Sequence, residues 1–370
     1  MSKSQGFLSI AALASAVFVS LACQPNVVRS EQPSDPPIIE PTPRSNEPIT
    51  IVAVGDIMMG SPFPNDSRMP PNDGKDLFTP FKDVLQSGDI TFGNLEGPMT
   101  DGGVSAKCGT RPNCFAFRMP TRYGQYLKDA GFDVMGIANN HAADFGQEGR
   151  LSTIRTLDSL GIKHAGTLDP PGTTAYLEAR GKRIAVVGFG HNHGMPSIND
   201  LAEARRLVAD AKKHADIVIV SYHGGGEGTD HQHVVKGHDI FLGEDRGDLP
   251  AFTHAVIDAG ADLVLGHGPH VMRGMEIYKG HLIEYSLGNF CTYGWFQLAA
   301  ETALTEVLEI KIGADGKFIS GKINPGKQEG RGGPVPDSTG AAIAVLRNLS
   351  NSDFGANAPK IADDGTITPK

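Results

Sequence analysis

The feature that most constrains the fold is an apolar run at 261–265 that leads directly into Gly-His-Gly-Pro-His at 266–270. The run predicts a buried strand, because continuous apolar stretches bounded by glycine are typical of strands covered on both faces. The glycines and the proline restrict the loop backbone, so the loop can hold His267 and His270 at fixed angles. Neutral imidazole is the commonest protein ligand of transition metals. The segment therefore indicates a metal site, with two idle, solvated loop histidines as the alternative.

The same arrangement, an apolar strand followed by a loop with a polar side chain, occurs at four other places. The strand-end residues are Asp56 after 51–54, Asn94 and Glu96 after 89–92, Asn140 and His141 after 132–138, and His223 after 217–222. A single Asp or His after a strand is more often a turn residue or a helix cap. Five such positions in one chain are better explained by convergence on one centre. The sequence therefore predicts a metal site lined by oxygen and nitrogen atoms.

Strands and helices alternate over most of the chain, which is typical of an α/β fold. The strands are predicted at 49–55, 89–93, 132–138, 183–189, 216–222, 261–266, 282–286 and 304–312. The helices are predicted at 121–130, 147–160, 200–214, 249–259 and 338–350. Gly131 and Gly260 are expected to cap two of them at the C-terminal end. Residues 61–76 and 223–248 lack periodicity, and loops of that length tend to be functional lids.

The N-terminus has the features of an export signal. Lys3 precedes an apolar run at 7–22, which is too short to span a bilayer comfortably and ends directly before Cys23. We expect a lipoprotein-type signal peptide at 1–22 and lipidation of Cys23, with ordinary cleavage as the alternative. Ser20 departs from the leucine usual at that position of a lipoprotein signal. The protein is expected to be exported and lipid-anchored to the cell membrane, in the periplasm or on the outer face of the envelope.

The rest of the chain is expected to contain one large domain. The segment 23–48 is rich in proline and polar residues, so it predicts a linker that lifts the domain off a membrane. The domain is predicted at 49–351, with a flexible tail at 352–370. A net charge of −9 without a basic run argues against nucleic-acid binding.

The cysteines are consistent with an oxidising environment. Cys108 and Cys114 lie close together in sequence and are expected to form a disulfide. A zinc site is the alternative, although a second cysteine pair is missing from this part of the sequence. Cys291 is then expected to be an unpaired, buried residue.

Taken in order, the strand-end motifs resemble those of the CapA family, the capsule-synthesis proteins linked to poly-γ-glutamate. The motifs are Val54–Met58, Asn94–Pro98, Ala138–Gly146, His223–Glu227, Gly266–His270 and Tyr285–Phe290. The family is similar to the calcineurin-like metallophosphoesterases. The resemblance implies an α/β fold, a four-layer α/β/β/α sandwich of metallophosphoesterase type, with the site at the strand ends between the sheets.

The resemblance also implies a set of metal ligands. The positions that match the metallophosphoesterase pattern are Asp56, Asn140, His223, His267 and His270. Such ligands suit Mn, Fe or Zn better than calcium, which avoids nitrogen.

The chain departs from that pattern at two ligands. Met58 stands where the pattern has a histidine, and Asn94 stands where it has a bridging aspartate. Glu96 is the carboxylate expected to reach the metal instead. The losses should weaken one of two metal positions, so we expect one ion, or a second one held loosely.

Catalytic roles follow from the same motifs. His141 is expected to be a general acid toward a leaving group, with Asp144 orienting its ring. The alternative for His141 is a metal ligand or a hydrogen-bonding residue beside the ligands. Arg273 is expected to hold an anionic substrate group bidentately, with a surface arginine as the alternative. Glu227 and Glu276 are weaker candidates.

The leading functional hypothesis is an exported, membrane-anchored protein with a metal-dependent hydrolase-type site. It would act in the biosynthesis, export or trimming of an anionic cell-surface polymer such as poly-γ-glutamate. A periplasmic phosphoesterase or nucleotidase, with a phosphoester substrate, is the second hypothesis. The third is a non-catalytic accessory subunit of a membrane polymer synthase.

Overall fold

The fold is built on two β-sheets. The computed structural model describes residues 46–108, 115–294 and 298–370. In chain order the strands are β1 (Ile49–Met58), β2 (Ile90–Leu95), β3 (Val134–Gly136), β4 (Lys163–Ala165), β5 (Thr174–Ala179), β6 (Lys182–Gly190), β7 (Ile217–His223), β8 (Ile240–Phe241), β9 (Glu244–Asp245), β10 (Leu263–His267), β11 (Met275–Tyr278), β12 (His281–Glu284), β13 (Asn289–Thr292), β14 (Leu304–Ile312), β15 (Phe318–Glu329), β16 (Gly333–Pro336), β17 (Lys360–Ile361) and β18 (Thr366–Thr368). The α-helices are α1 (Lys82–Leu85), α2 (Gly124–Ala130), α3 (Gly146–Ser159), α4 (Leu201–His214), α5 (Leu249–Asp258) and α6 (Ala341–Phe354).

The two sheets are both mixed. The first has the order β17-β18-β15-β14-β1-β2-β3-β4, with β13 also paired to β1 and β16 to β15. The second has the order β11-β12-β10-β7-β6-β5, and β8 and β9 form a separate hairpin. The central strands β1, β2 and β3 run parallel, as do β6, β7, β10 and β12. Parallel strands bring their carboxyl ends to one edge, which is where the predicted ligands lie.

The layers are held together by three hydrophobic cores. One core lies between the sheets and combines Ile51 and Leu308 of the first sheet with Ile219 and Leu265 of the second. The outer face of the first sheet packs against α2 and α3, and that of the second against α4 and α5. The order of layers is therefore α/β/β/α, as the family resemblance implies.

Local sequence explains where several helices begin and end. Asp200 caps α4 by accepting a hydrogen bond from the backbone N–H of Glu203 at 3.0 Å, and Asp248 caps α5 through the N–H of Ala251 at 3.1 Å. Gly131 follows α2 with a φ of 100°, a left-handed conformation that favours glycine, and so confirms the predicted cap. The predicted strands correspond to β1, β2, β3, β6, β7, β10, β12 and β14.

The C-terminal segment differs from the prediction of a flexible tail at 352–370. Helix α6 extends to Phe354, and β17 and β18 form a hairpin that pairs with β15. Ile361 and Ile367 are buried in the core between the sheets. Both strands are too short to show a periodic pattern in a polar sequence, and tertiary packing holds them in place. The domain therefore continues to the end of the chain.

The signal peptide, Cys23 and most of the linker lie outside the described residues, as does Cys114. Cys108 is disulfide-bonded, and Cys291 is a free, buried thiol. Within 46–108, 115–294 and 298–370, none of the helices has the length and apolar character needed to cross a membrane.

Two fully buried carboxylic acids, Glu284 and Glu306, are not among the predicted site residues. Glu284 ends β12, Glu306 lies on β14, and both are fully buried. Both oxygens of Glu306 and one of Glu284 have no hydrogen-bond partner among the described residues. Burial raises the pKa of Glu306 from 4.5 to about 8. Burial, followed by the charge of Glu306, raises the pKa of Glu284 well above its usual value. The folded protein therefore favours the protonated acids.

These pKa shifts predict how the stability of the fold changes with pH. The unfolded chain releases the proton of Glu306 near pH 4.5, whereas the folded chain retains it to about pH 8. The free energy of unfolding should therefore fall as the pH rises through this interval. The Glu306→Gln variant keeps a neutral side chain, so between these two pH values it should lose roughly 1–5 kcal/mol less than the wild type. Urea unfolding at both pH values measures the difference. Glu178→Gln, at an exposed position on β5, is the control, and an equal loss in Glu306→Gln and wild type would contradict the assignment.

Candidate metal centre

The two sheets deliver their strand-end residues to one buried point. In the first sheet, Asp56 on β1 is in register with Asn94 on β2 and with Asn289 on β13. In the second sheet, His223 on β7 is in register with His267 on β10. The register explains why residues far apart in sequence come together.

Five of the predicted ligands form a connected cluster. Asp56 lies between two imidazoles, with its Oδ1 3.3 Å from Nδ1 of His267 and its Oδ2 3.1 Å from Nδ1 of His270. The Oε1 of Glu96 is 3.5 Å from Nε2 of His270 and 3.6 Å from Nε2 of His223. Potential ligand atoms of Asp56, Glu96 and His223 all lie within 4.8 Å of one another. The cluster has the size and composition of a site for a divalent ion.

Unsatisfied polar atoms support the same interpretation. Both ring nitrogens of His223 and of His267, and both carboxylate oxygens of Glu96, are buried without a hydrogen-bond partner in the described part of the chain. Leaving a buried polar atom unpaired costs free energy, so natural proteins rarely tolerate several in one place. A metal ion would satisfy these atoms together. The residues therefore fit a divalent ion.

Burial and the neighbouring charges shift the pKa values of several groups in the cluster. Burial alone would raise the pKa of Asp56, but the contacts with His267 and His270 outweigh it and hold that pKa well below its usual range. Burial raises the pKa of Glu96 to about 8 and lowers that of His223 well below 6.5. Burial also opposes the charged form of His270, but Glu96 and Asp56 outweigh it and raise its pKa to about 10. His223 is therefore neutral, the form in which imidazole binds metal.

Two asparagines hold Asp56 in place. The amide Nδ2 of Asn94 donates to Oδ1 of Asp56 at 2.8 Å. The amide of Asn139 donates in turn to Oδ1 of Asn94 at 3.3 Å and to the carbonyl of Leu95 at 2.9 Å. Asn94 thus orients the carboxylate of Asp56, the predicted metal ligand. Asn140 lies beside the cluster, and its buried Oδ1 has no hydrogen-bond partner among the described residues.

His270 is held in an unusual backbone conformation. Its φ is 58°, a left-handed value that is uncommon for residues other than glycine and that often marks functional sites. Asn289 contacts it twice, with Oδ1 3.1 Å from Nδ1 of the ring and Nδ2 donating to the backbone carbonyl at 3.1 Å. These contacts fix the ring toward Asp56.

His141 is oriented as the sequence predicts. Its Nδ1 is 2.7 Å from Oδ2 of Asp144, and its ring stacks on Phe117 with centroids 3.8 Å apart. The same Oδ2 accepts a hydrogen bond from the backbone N–H of Phe117 at 2.7 Å. Burial lowers the pKa of His141, although Asp144 opposes the shift. With Nδ1 turned to Asp144, Nε2 is the nitrogen that can exchange a proton with a bound molecule.

Arg273 does not lie where the sequence analysis expects it. Its side chain is fully buried and is hydrogen-bonded to the loop at 224–239. The Nε donates to the carbonyl of His231 at 2.8 Å, and an Nη donates to the carboxylate of Asp239 at 3.1 Å and to the carbonyl of Gly226 at 3.2 Å. These contacts use Nε and one Nη, while the other Nη is buried without a hydrogen-bond partner among the described residues. In this structure Arg273 therefore holds the loop at 224–239 and does not line the cavity beside His141.

A cavity of about 470 Å³ opens onto the cluster. Its lining combines His141, His270 and Asn140 with further residues, of which only Glu227 is named from the sequence as a candidate, and a weaker one. The additional lining residues are Lys107, Phe115, Phe117, Glu227, Gly228, Phe241, Asn289 and Thr302. The volume is within the usual range for small-molecule sites.

His191 is a further residue that the sequence analysis misses. It directly follows β6, and its buried ring lies parallel to that of His223, with centroids 6.1 Å apart. Its Nδ1 is 3.2 Å from the carbonyl oxygen of His223. The strand-end rule applied to the predicted strand at 183–189 would have found it.

Comparisons with known proteins agree with this arrangement. The family model for the bacterial capsule synthesis protein PGA_cap matches residues 50–293. The chain belongs to this family. The PGA biosynthesis protein CapA of Bacillus subtilis (strain 168) is 27% identical over 342 residues, which cover 88% of this chain and 83% of that relative.

Other relatives extend the comparison. The capsule biosynthesis protein CapA of Bacillus anthracis is 28% identical over 313 residues, which cover 79% of this PGA_cap chain and 71% of that protein. The solved structure of the NAD nucleotidase of Haemophilus influenzae has a TM-score of 0.40 and 11% identity, covering 83% of this chain and 56% of that one. A similarity this low carries no argument about function.

The cluster predicts metal binding that depends on its buried ligands. Asp56→Asn and His223→Ala should each lower the affinity for Mn²⁺ by roughly tenfold or more, because each removes a group that would contact the ion directly. Calorimetric titration of the metal-free protein with Mn²⁺ measures the affinity. His238→Ala is the control, since that imidazole is exposed and pairs with Asp245. Wild-type affinity in both cluster variants would refute the site.

Proposed function

We propose that this protein is a metal-dependent hydrolase-type enzyme that acts on an anionic cell-surface polymer such as poly-γ-glutamate. The observation that carries the proposal is the buried, unsatisfied cluster of Asp56, Glu96, His223 and His267, which His270 connects to a cavity that His141 also lines. The names of the Bacillus relatives support the polymer as the substrate. The protein would act during synthesis, export or trimming of the polymer.

The chain's own residues supply the proton chemistry in this proposal. A divalent ion, when bound, polarises water and stabilises negative charge on oxygen. Asp144 fixes the ring of His141 through Nδ1 and stabilises its protonated form. His141 then donates a proton from Nε2 to the leaving group. Because burial lowers the pKa of His141, its protonated form is a stronger acid than an exposed imidazolium.

The proposal assigns different consequences to two histidine substitutions. His141→Ala should lower turnover by roughly 10²–10⁴-fold, the usual range for loss of a general acid, and should leave the metal content unchanged. His223→Ala should lower both the turnover and the metal content, because it removes a proposed metal ligand. Hydrolysis of poly-γ-glutamate oligomers, together with metal analysis of the same samples, measures both effects. Equal metal loss in the two variants would make His141 a ligand.

A non-catalytic role in a membrane synthase complex is the second candidate. The replacement of two metallophosphoesterase ligands by Met58 and Asn94 favours it, because Met58 is a buried apolar side chain and Asn94 donates to Asp56. Polymer production that is unchanged in both His141→Ala and His223→Ala cells would support this role over hydrolysis. A phosphoesterase activity is tested by the same variants on a phosphodiester panel with Mn²⁺.

We also propose export and a lipid anchor on Cys23, from the apolar run that ends before it and the proline-rich linker beyond. The mature protein should fractionate with membranes and carry a diacylglycerol group on an N-terminal Cys23, detected by mass spectrometry. Cys23→Ala should abolish the adduct, whereas Ser34→Ala in the linker should not. A soluble mature protein that starts at another residue would contradict the anchor.

A further inference from the structure

The cavity walls contain one cation and one carboxylate whose roles the proposed reaction does not use. Lys107 is the only lysine or arginine among the described residues that line the cavity, and Glu227 is the only acid. Phe115, Phe117 and Phe241 form much of the apolar lining. A molecule that fills this cavity would meet charge of both signs and three aromatic rings.

Lys107 lies beside the proton donor of the site. Its Nζ is 3.3 Å from Nδ1 of His141 and 3.5 Å from Oδ1 of Asp144, with 34% of its side chain exposed. The backbone around it is fixed, because the N–H groups of Ala106 and Lys107 donate to the carbonyl of Asp144 at 2.8 and 3.4 Å. The ammonium is therefore held at the cavity wall beside the ring of His141, on its Nδ1 side.

The carboxylate of Glu227 is held in place by a buried arginine, Arg246. Its Oε1 accepts a hydrogen bond from Nη1 of Arg246 at 2.7 Å, and the other side of that guanidinium pairs with Glu244 at 2.8 Å. The two carboxylates occupy Arg246, which is only 5% exposed. The next residue, Gly228, donates its N–H to the carbonyl of Pro269 at 2.9 Å, which fixes this segment against the loop of His270.

One ammonium, one carboxylate and three aromatic rings in the same cavity favour some anionic ligands over others. A dianionic phosphate is usually bound by several donors or a bidentate arginine, and Lys107 is the only lysine or arginine among the described residues that line the cavity. A singly charged carboxylate needs only one ammonium, and Glu227 can accept a hydrogen bond from an amide N–H. Methylene groups between the two would lie against the aromatic rings. The cavity thus suits a chain that alternates carboxylates, amides and short aliphatic spacers.

We propose that Lys107 and Glu227 are the substrate-recognition residues of this site, Lys107 binding a carboxylate and Glu227 an amide N–H of a carboxylate-bearing amide chain. The inference rests on the proposed function for the location of the site. It assigns anion recognition to Lys107 and not to Arg273, which lies buried beneath the loop at 224–239.

The test measures binding, which needs no turnover. A short γ-linked glutamate oligomer is titrated calorimetrically into the wild type, Lys107→Gln and Lys107→Arg, beside the same oligomer with its carboxylates amidated. Loss of one charge-assisted contact should weaken binding of the acidic oligomer to Lys107→Gln by roughly tenfold. Lys107→Arg keeps the charge and should stay within about threefold of the wild type. The amidated oligomer should bind weakly and equally to all three proteins. Lys128→Gln, at an exposed position on α2, is the matched control.

Three results would overturn the proposal. One is wild-type binding of the acidic oligomer by Lys107→Gln with its native circular dichroism. Another is an equal loss for the acidic and amidated oligomers, which would make Lys107 a positioning residue for His141. The third is tighter wild-type binding of glycerol phosphate than of the glutamate oligomer, which would assign the cation to a phosphoester. Lys107-dependent binding without hydrolysis would uphold the recognition role of Lys107 and refute only the proposed hydrolase activity.

Discussion

The buried cluster at the strand ends depends on the carboxylate of Asp56, which folding removes completely from water. Asp56 is fully buried, and its contacts with His267 and His270 hold its pKa well below the usual range despite burial. A buried charge without partners would cost several kilocalories per mole, so the surrounding structure must supply them. Asn94 donates to one oxygen, and the backbone N–H of Asp56 itself donates to the carbonyl of Gly288 at 2.9 Å.

That requirement explains the backbone around the cluster. A Cβ at Gly55 would overlap the carbonyl oxygen of Gly288, so only glycine lets β1 approach the segment before β13 this closely. The same segment carries Asn289, which keeps His270 at its positive φ and turns the ring toward Asp56. Two motifs far apart in sequence, around residues 55 and 288, are therefore parts of one packing arrangement.

Much of the fold and of the metal cluster could be predicted from the sequence. The central strands are continuous apolar runs, and parallel strands place their ends together whatever the loops do. Asp56, Glu96, His223, His267 and His270 are all close to strand ends, so the rule finds them. His191 directly follows β6, so the same rule applied to that strand finds it.

The cavity walls could not be predicted in this way. Arg273 and Lys107 both lie on segments without a regular period, and nothing local determines whether a long cation points into the cavity or beneath a loop. The answer depends on Asp239, which pairs with Arg273, and on Asp144, whose carbonyl anchors the segment of Lys107. The burial of Glu306 and the pairing of β18 with β15 likewise arise from long-range packing.

The departures at Met58 and Asn94 bear on how many ions the centre holds. Met58 is fully buried and offers no nitrogen or oxygen ligand where the related pattern has a histidine. The Nδ2 of Asn94 donates to Asp56, and its Oδ1 accepts from Asn139, so the side chain is committed to hydrogen bonds and lacks the charge of a bridging carboxylate. Two divalent ions repel each other and need bridging negative charge to lie close together. The remaining carboxylates, Asp56 and Glu96, balance one divalent ion. We therefore propose that the cluster, when it binds metal, holds one ion firmly.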